Sequence, residues 1–142
     1  MNILILDGQG GGVGRALVEG VRQALPDAHI VAVGANAMAT AAMLRAGADA
    51  AATGENPVIV CAKDADVIAG PIGIVLKDAM LGEITGAMAA AVAESPAQRV
   101  LVPSAKCSTT VAGTRGQSLQ ALIESAVNAI AEIAEQQSSG KL

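Results

Sequence analysis

The chain has 142 residues, a net charge of −4 and no Phe, Tyr or Trp. This length indicates one domain around one hydrophobic core, which Ala, Val, Ile, Leu and Met must fill. An acidic chain without aromatic rings lacks the positive surface and the stacking platforms that bind nucleic acids. We therefore exclude nucleic-acid binding.

The sequence predicts neither a membrane-spanning segment nor a metal-binding site. No stretch reaches the ~20 strongly apolar residues of a membrane span, and no basic segment precedes the first apolar run. We therefore expect a cytoplasmic protein that does not contact a membrane. Cys61 and Cys107 are far apart, and His29 is the one histidine of the chain. This usage predicts free thiols, with neither a disulfide nor a metal site.

The first third of the chain alternates strand and helix patterns. Residues 2–6 form a continuous apolar run that predicts a buried parallel strand. Glycines follow, and the spacing of apolar residues over 13–25 predicts an amphipathic helix. Residues 29–33 predict a second strand, which places His29 at its amino end, and Asn36 is positioned to cap a helix that runs to Ala46.

The alternation continues in the rest of the chain. We expect a third strand at 49–52, a short helix with Asn56 as N-cap and Pro57 as its first residue that runs to about Ala65, and a fourth strand at 67–69. Residues 72–84 are ambiguous between a strand extension and a hairpin. The elements expected after them are a helix capped by Thr85 and ending at Glu94, a strand at 100–102, a helix at 119–133 and a frayed tail at 136–142.

This order of elements predicts an α/β fold. Strands that alternate with helices form a parallel sheet covered on both faces. Because crossover connections are right-handed, we expect a Rossmann-like three-layer α/β/α domain with about five strands in the order 3-2-1-4-5.

The glycines after the first strand indicate a phosphate site. Gly8, Gly12 and Gly14 match G-x-x-x-G-x-G, and "DGQGGGVGRALVEG" resembles the opening of the short-chain dehydrogenases and reductases. Such glycines let the backbone approach a pyrophosphate at a helix N-terminus. The predicted cofactor-binding residues are Asp7, Gly8, Gly10, Gly12, Val13, Gly14, Arg15, Gly34, Asn36, Thr40 and Gly70.

The pattern favours NADP over NAD. No acidic residue lies between Ala28 and Leu44, where dinucleotide-binding proteins carry the carboxylate that binds the ribose of NAD. Arg15, Asn36, Thr40 or Arg45 could instead accommodate a 2′-phosphate. NAD or a mononucleotide remains possible.

Two departures separate this chain from those enzymes. They use a catalytic tyrosine, and this chain has none. A reductase would have to use Glu55, Lys106 or Cys107 instead. The second departure is Asp7, whose carboxylate either accepts amide hydrogen bonds and shapes the glycine loop or faces a ribose or a metal.

A second resemblance covers nearly the whole chain. The segments "DGQGGG", "GENPVIV", "GPIGIV" and "LGEIT" are similar to those of a family of short bacterial proteins of unknown function. This resemblance supports the fold and implies no activity.

Three functions are compatible with these observations. The first is a nucleotide-binding or sensing module, which we favour because no acid and base pair is evident. The second is an atypical NADP-dependent reductase without the tyrosine. The third is a small assembly protein without a ligand. The apolar segment 70–84 also predicts a homo-oligomer, with a dimer as the simplest form.

Overall fold

The computed structural model describes residues 1–104 and 108–140. Its centre is a parallel sheet in the order β3-β2-β1-β4-β5, as predicted. The strands are β1 (Asn2–Asp7), β2 (His29–Gly34), β3 (Ala50–Thr53), β4 (Val67–Pro71) and β5 (Gln98–Val102).

Helices cover both faces of this sheet. They are α1 (Gly12–Ala24), α2 (Ala37–Arg45), α3 (Glu55–Cys61), α4 (Gly86–Glu94) and α5 (Leu119–Ser138). Ile3 and Ile5 of β1 pack on the side of α1, α2 and α5, whereas Leu4 and Leu6 pack on the side of α3 and α4. Alternate side chains of one strand thus fill two cores, because successive Cβ atoms point to opposite faces. The predicted three-layer architecture is confirmed.

Small residues let the helices pack closely without aromatic side chains. A Cβ added to Gly20 of α1 would lie 2.7 Å from Cγ2 of Val127 in α5. The two helices therefore approach each other at a position that only glycine allows.

Both predicted ends of α3, Pro57 and about Ala65, were wrong. The helix begins at Glu55, after Gly54 with φ 103°, and ends at Cys61. Pro57 is therefore the third helical residue rather than the first. This is tolerated because the first four N–H groups of a helix have no intrahelical partner, so the missing N–H costs no helical bond.

The ambiguous segment forms neither a strand extension nor a hairpin. Ile72–Val75 is a short 3-10 helix, and turns follow it up to α4. Ile74 and Ile84 are fully buried against the α3 and α4 side of the sheet, whereas Leu81 is 98% exposed. Much of the apolar surface on which the dimer was predicted is thus buried in the chain's own core.

Other differences lie at element ends. β5 begins at Gln98 rather than Val100, and α5 continues through Ser138, into the segment expected to fray. Ser118 caps α5 by accepting from the N–H of Ala121. Within the described ranges, no helix has the length and apolarity needed to cross a membrane.

Candidate functional site

A cleft of about 360 Å³ opens at the carboxyl ends of β1 and β4. In the order 3-2-1-4-5 the connections leave these two neighbouring strands in opposite directions, and ligands of open α/β sheets bind at such a point. The described residues that line the cleft are Asp7, Gly8, Gln9, Gly10, Gly11, Gly12, Val13, Pro71, Gly73, Ala79, Met80, Ser104 and Leu119.

Residues 7–14, the glycine turn, form one side of the cleft. The N–H of Gly11 donates to the carbonyl of Gly8 at 2.9 Å, and Gly11 has φ 73°. A Cβ on Gly11 would lie 2.8 Å from Cα of Ala39. Gly11 is therefore required for both the backbone angle and the close approach of α2.

Gly10 and Gly12 border the open part of the cleft. A Cβ built on either residue has no atom within 4 Å. The N–H groups of Gly10, Gly12 and Val13 have no hydrogen-bond partner among the described residues. Since Gly12 and Val13 are the first two residues of α1, their N–H groups lie at the positive end of a helix dipole.

The buried carboxylate of Asp7 fixes the shape of the glycine turn. The carboxylate accepts from the N–H of Gly8 at 2.8 Å and from the N–H of Gly14 at 2.7 Å. Of the two roles considered for this residue, the hydrogen bonds match the loop-shaping role. The N–H of Gly14 is consequently occupied by the protein itself.

Glu83 also holds the glycine turn, and it was not among the residues predicted from the sequence. Its Oε1 accepts from the N–H of Gln9 at 2.7 Å, and its Oε2 accepts from Nδ2 of Asn36 at 2.6 Å. Nδ2 of Asn36 also donates to the carbonyl of Gln9 at 2.9 Å. No local signal points to this cluster, because Glu83 is 74 residues from Gln9 along the chain.

The opposite wall of the cleft is apolar. Ala79 and Met80 belong to residues 76–85, the covering segment, and Leu119 begins α5. A Cβ on Gly8 would lie 2.7 Å from Sδ of Met80, so Gly8 permits close contact with the covering segment. Asp7 is the one charged residue among the described lining residues.

Two predicted binding residues pack behind the turn instead of lining the cleft. A Cβ on Gly14 would lie 2.5 Å from Sδ of Met43, and a Cβ on Gly70 would clash with the carbonyl oxygen of Leu6. These glycines support close packing of α1 and of β4 against β1.

The polar residues predicted for a 2′-phosphate make other contacts. Arg15 pairs with Glu19 on the exposed face of α1 at 3.3 Å. Thr40 packs on Gly34, and its hydroxyl lies 2.7 Å from that of Thr53. Asn36 accepts from the N–H of Ala39 and caps α2 as predicted.

Arg45 does not reach the cleft either. Its Nε donates to the carbonyl of Ala41 at 3.3 Å. Neither of the two arginines predicted to bind a 2′-phosphate, Arg15 and Arg45, therefore lines the cleft.

Glu55, the one candidate catalytic residue within the described ranges, does not lie at the glycine turn. Glu55 accepts from the hydroxyl of Thr85 at 2.5 Å and does not line the cleft. Lys106 and Cys107 lie outside the described residues. Ser104 lines the cleft and belongs to the loop after the fifth strand, residues 103–107, which we expected at the ligand side of the sheet. Leu119, which also lines the cleft, was not predicted, because its position depends on how the chain returns from β5 to α5.

A smaller cavity of about 210 Å³ lies toward the opposite end of the sheet, where His29, Cys61 and Asp64 are among its lining residues. Burial, and then the charge of Asp64, raise the pKa of the Cys61 thiol, which keeps it protonated and weakly reactive. Over residues 1–104 and 108–140, no group of three or more His, Cys, Asp or Glu residues could hold a metal ion.

Comparison with solved structures supports the fold. The chain resembles a dodecameric FMN-dependent UbiX-like decarboxylase from Escherichia coli O157:H7, with 16% identity and a TM-score of 0.52. The alignment covers 96% of this chain and 94% of that one. At this identity the likeness concerns the fold.

Comparison at the sequence level identifies a family without an assigned activity. No curated protein matches the chain. A family model described as "Domain of unknown function (DUF3842)" matches residues 2–135. Since the match includes nearly all of the strands and helices, the chain belongs to this family of unknown function.

Proposed function

We propose that this chain is a binding or sensing module that holds a phosphorylated mononucleotide in the cleft, with the phosphate on the N–H groups of Gly10, Gly12 and Val13. The observation that carries the proposal is that these three N–H groups, for which the described residues offer no hydrogen-bond partner, belong to one cleft beside two glycines that leave open space. Unpaired amides at the start of a helix are favourable for anions.

The size and chemistry of the cleft support a nucleotide rather than a bare phosphate. A volume of about 360 Å³ lies within the range of small-molecule sites. Beside the glycine turn, Pro71, Met80 and Leu119 offer apolar surface against which a base or a flavin ring can pack.

FMN is the first ligand to test, since the similar decarboxylase is described as FMN-dependent. The glycine turn would hold its phosphate, and the flavin would supply redox chemistry when bound. A mononucleotide fits better than NADP, because Arg15 and Arg45 make other contacts. Asp7 already accepts two N–H groups, and Glu55 lies beside Thr85, so we assign no catalytic step to them.

Titration with FMN, AMP, NAD and NADP tests the proposal. The chain has no Trp or Tyr, so flavin or NADPH fluorescence can be followed without protein background. Gly12→Asp would place a negative charge beside the phosphate and should abolish binding, while the open space around Gly12 preserves folding.

Gly86→Asp is the matched control. Gly86 is the first residue of α4, as Gly12 is of α1, so both variants add one carboxylate at the start of a helix. Gly86→Asp should bind like the wild type. Absence of binding by the wild type, or equal affinities of Gly12→Asp and Gly86→Asp, would overturn the proposal.

We also propose that the chain forms a homo-oligomer, with the dimer as the first state to test. The similar decarboxylase is described as dodecameric, and the apolar side chain of Met38 on α2 is 68% exposed. Light scattering at micromolar concentration should give a multiple of the 14.0 kDa chain mass. A mass of 14.0 kDa would show a monomer and contradict this proposal.

A further inference from the structure

We propose that Glu83 is a positioning residue for the nucleotide site, which sets the orientation of the peptide between Gln9 and Gly10 so that the Gly10 N–H faces the ligand phosphate. This inference rests on the proposed function and adds a residue from a distant part of the chain to the site.

Both polar groups of the Gln9 backbone are held by side chains. The Glu83 carboxylate accepts from the Gln9 N–H, and the Asn36 side chain donates to the Gln9 carbonyl. Glu83 and Asn36 also bond to each other at 2.6 Å, which closes a ring of three hydrogen bonds. Asn36 is held a third time, because its Oδ1 accepts from Ala39 at the start of α2.

The planarity of the peptide transmits this restraint to the ligand site. In a trans peptide the carbonyl of Gln9 and the N–H of Gly10 point in opposite directions. Since the carbonyl is held toward Asn36, the N–H of Gly10 points away from Asn36. Gly10 lines the cleft, and Asn36 is not among the lining residues.

Gln9 needs such support because it is not a glycine. Its φ of 47° is left-handed, a conformation that residues with a Cβ rarely adopt. Without the bonds to Glu83 and Asn36, the Gln9–Gly10 peptide would be free to rotate, and the three N–H groups would no longer be pre-arranged for one phosphate.

Glu83 also links the turn to the covering segment. Met80 of this segment contacts the turn at Gly8 and lines the cleft. The segment has left-handed φ values at Asp78, Met80, Leu81 and Gly82. Asp78, Met80 and Leu81 carry a Cβ and are strained in this conformation, and residues strained in this way cluster at functional sites.

Whether removal of the Glu83 carboxylate raises or lowers the affinity for FMN distinguishes a positioning role from a purely electrostatic one. Removing a negative charge near a phosphate should strengthen binding if Glu83 acts through its charge alone. If Glu83 positions the turn, Glu83→Ala should weaken FMN binding by roughly tenfold or more, because charge-assisted hydrogen bonds are lost.

Two measurements on labelled protein test the inference. Amide hydrogen exchange by NMR in the ligand-free protein reports the Gln9 N–H directly, and FMN titration reports the site. In Glu83→Ala the Gln9 amide should exchange roughly tenfold faster or more, whereas the amide of Ile5 in the central strand should be unchanged. Glu94→Ala is the matched control, since Glu94 is exposed at the end of α4.

Glu83→Gln keeps one acceptor for the Gln9 N–H and should give an intermediate affinity and exchange rate. It also serves as the test variant if Glu83→Ala does not fold. FMN affinity of the Glu83 variants equal to or above that of Glu94→Ala would overturn the inference, as would unchanged exchange at Gln9. If the wild type fails to bind FMN, the proposed function fails, and the exchange rate of Gln9 separately decides whether Glu83 holds the turn.

Discussion

The glycine turn and the covering segment lie against each other, and both contain left-handed residues, yet of different types. In the turn, Gly11 adopts this conformation at a position where a side chain would clash with α2. In the covering segment, Asp78, Met80 and Leu81 adopt it although each carries a Cβ. Except at Gln9, which Glu83 and Asn36 hold at φ 47°, the turn is therefore matched to its sequence, whereas tertiary contacts hold most of the left-handed residues of the covering segment against their local preference.

The two regions also differ in how carboxylates hold them. Asp7 is buried and bonds to N–H groups one and seven residues away, within the unit formed by β1 and α1. Glu83 is partly exposed and bonds across 74 residues. Bonds of the first kind need only the local unit, but the second kind requires distant parts of the chain to meet.

The largest effect is expected from Asp7→Ala. It leaves the N–H groups of Gly8 and Gly14 without their acceptor in a buried place, which costs about 2 to 5 kcal/mol of unfolding free energy. Urea denaturation measures this change. Asp27→Ala, at an exposed position, should stay within about 0.5 kcal/mol of the wild type. Equal midpoints for the two variants would show that Asp7 does not support the turn.

Gly11→Ala should give the next largest effect. An alanine at this position would have to adopt φ 73°, and its Cβ would lie 2.8 Å from Cα of Ala39. We therefore expect the free energy of unfolding to fall by about 2 kcal/mol or more. Thermal and urea unfolding measure it. Gly12→Ala, where the Cβ meets open space, serves as the comparison and should be neutral or slightly stabilising.

Leu81→Asn should change stability in the opposite direction. Leu81 is 98% exposed and has φ 58°, so its replacement loses no buried surface and relieves left-handed strain. Asn tolerates this conformation, and we expect a gain of about 0.5 kcal/mol in unfolding free energy. A clear loss of stability would mean that Leu81 makes contacts in solution, as an oligomer interface would require.

The smallest effect is expected at a third carboxylate, Asp49, which like Glu83 holds a distant backbone N–H. The hydrogen bond from the Ile30 N–H, and then that from Arg22, hold the pKa of Asp49 below its ordinary value. A carboxylate with a lowered folded pKa stabilises the fold above the unfolded pKa of about 3.9, and this stability is lost as pH falls through the lowered value.

Melting temperatures from pH 6 to pH 2 measure this contribution. The wild type should lose stability in acid more steeply than Asp49→Asn. The difference should be small, because the carboxylate is partly exposed and solvent screens its charge. Parallel curves for the two proteins would show that Asp49 adds nothing to folding.

The sequence by itself determined the order of strands and helices, the parallel sheet and the glycine turn between β1 and α1. Apolar periodicity, glycine spacing and the caps at Asn36 and Thr85 are local signals, and right-handed crossovers then leave few arrangements of the strands. Within the site, the same signals predicted Asp7, Gly8, Gly10, Gly12 and Val13, which line the cleft.

Only the tertiary structure decided what surrounds the turn. Residues 72–84 carry no clear period, so their conformation depends on burying Ile74 and Ile84 against the sheet. That burial places Met80 in the cleft wall and Glu83 beside Gln9 and Asn36. A hydrogen bond between residues 74 positions apart has no signature in a single sequence, because nothing in the chain's local chemistry specifies which distant carboxylate will meet a given N–H group.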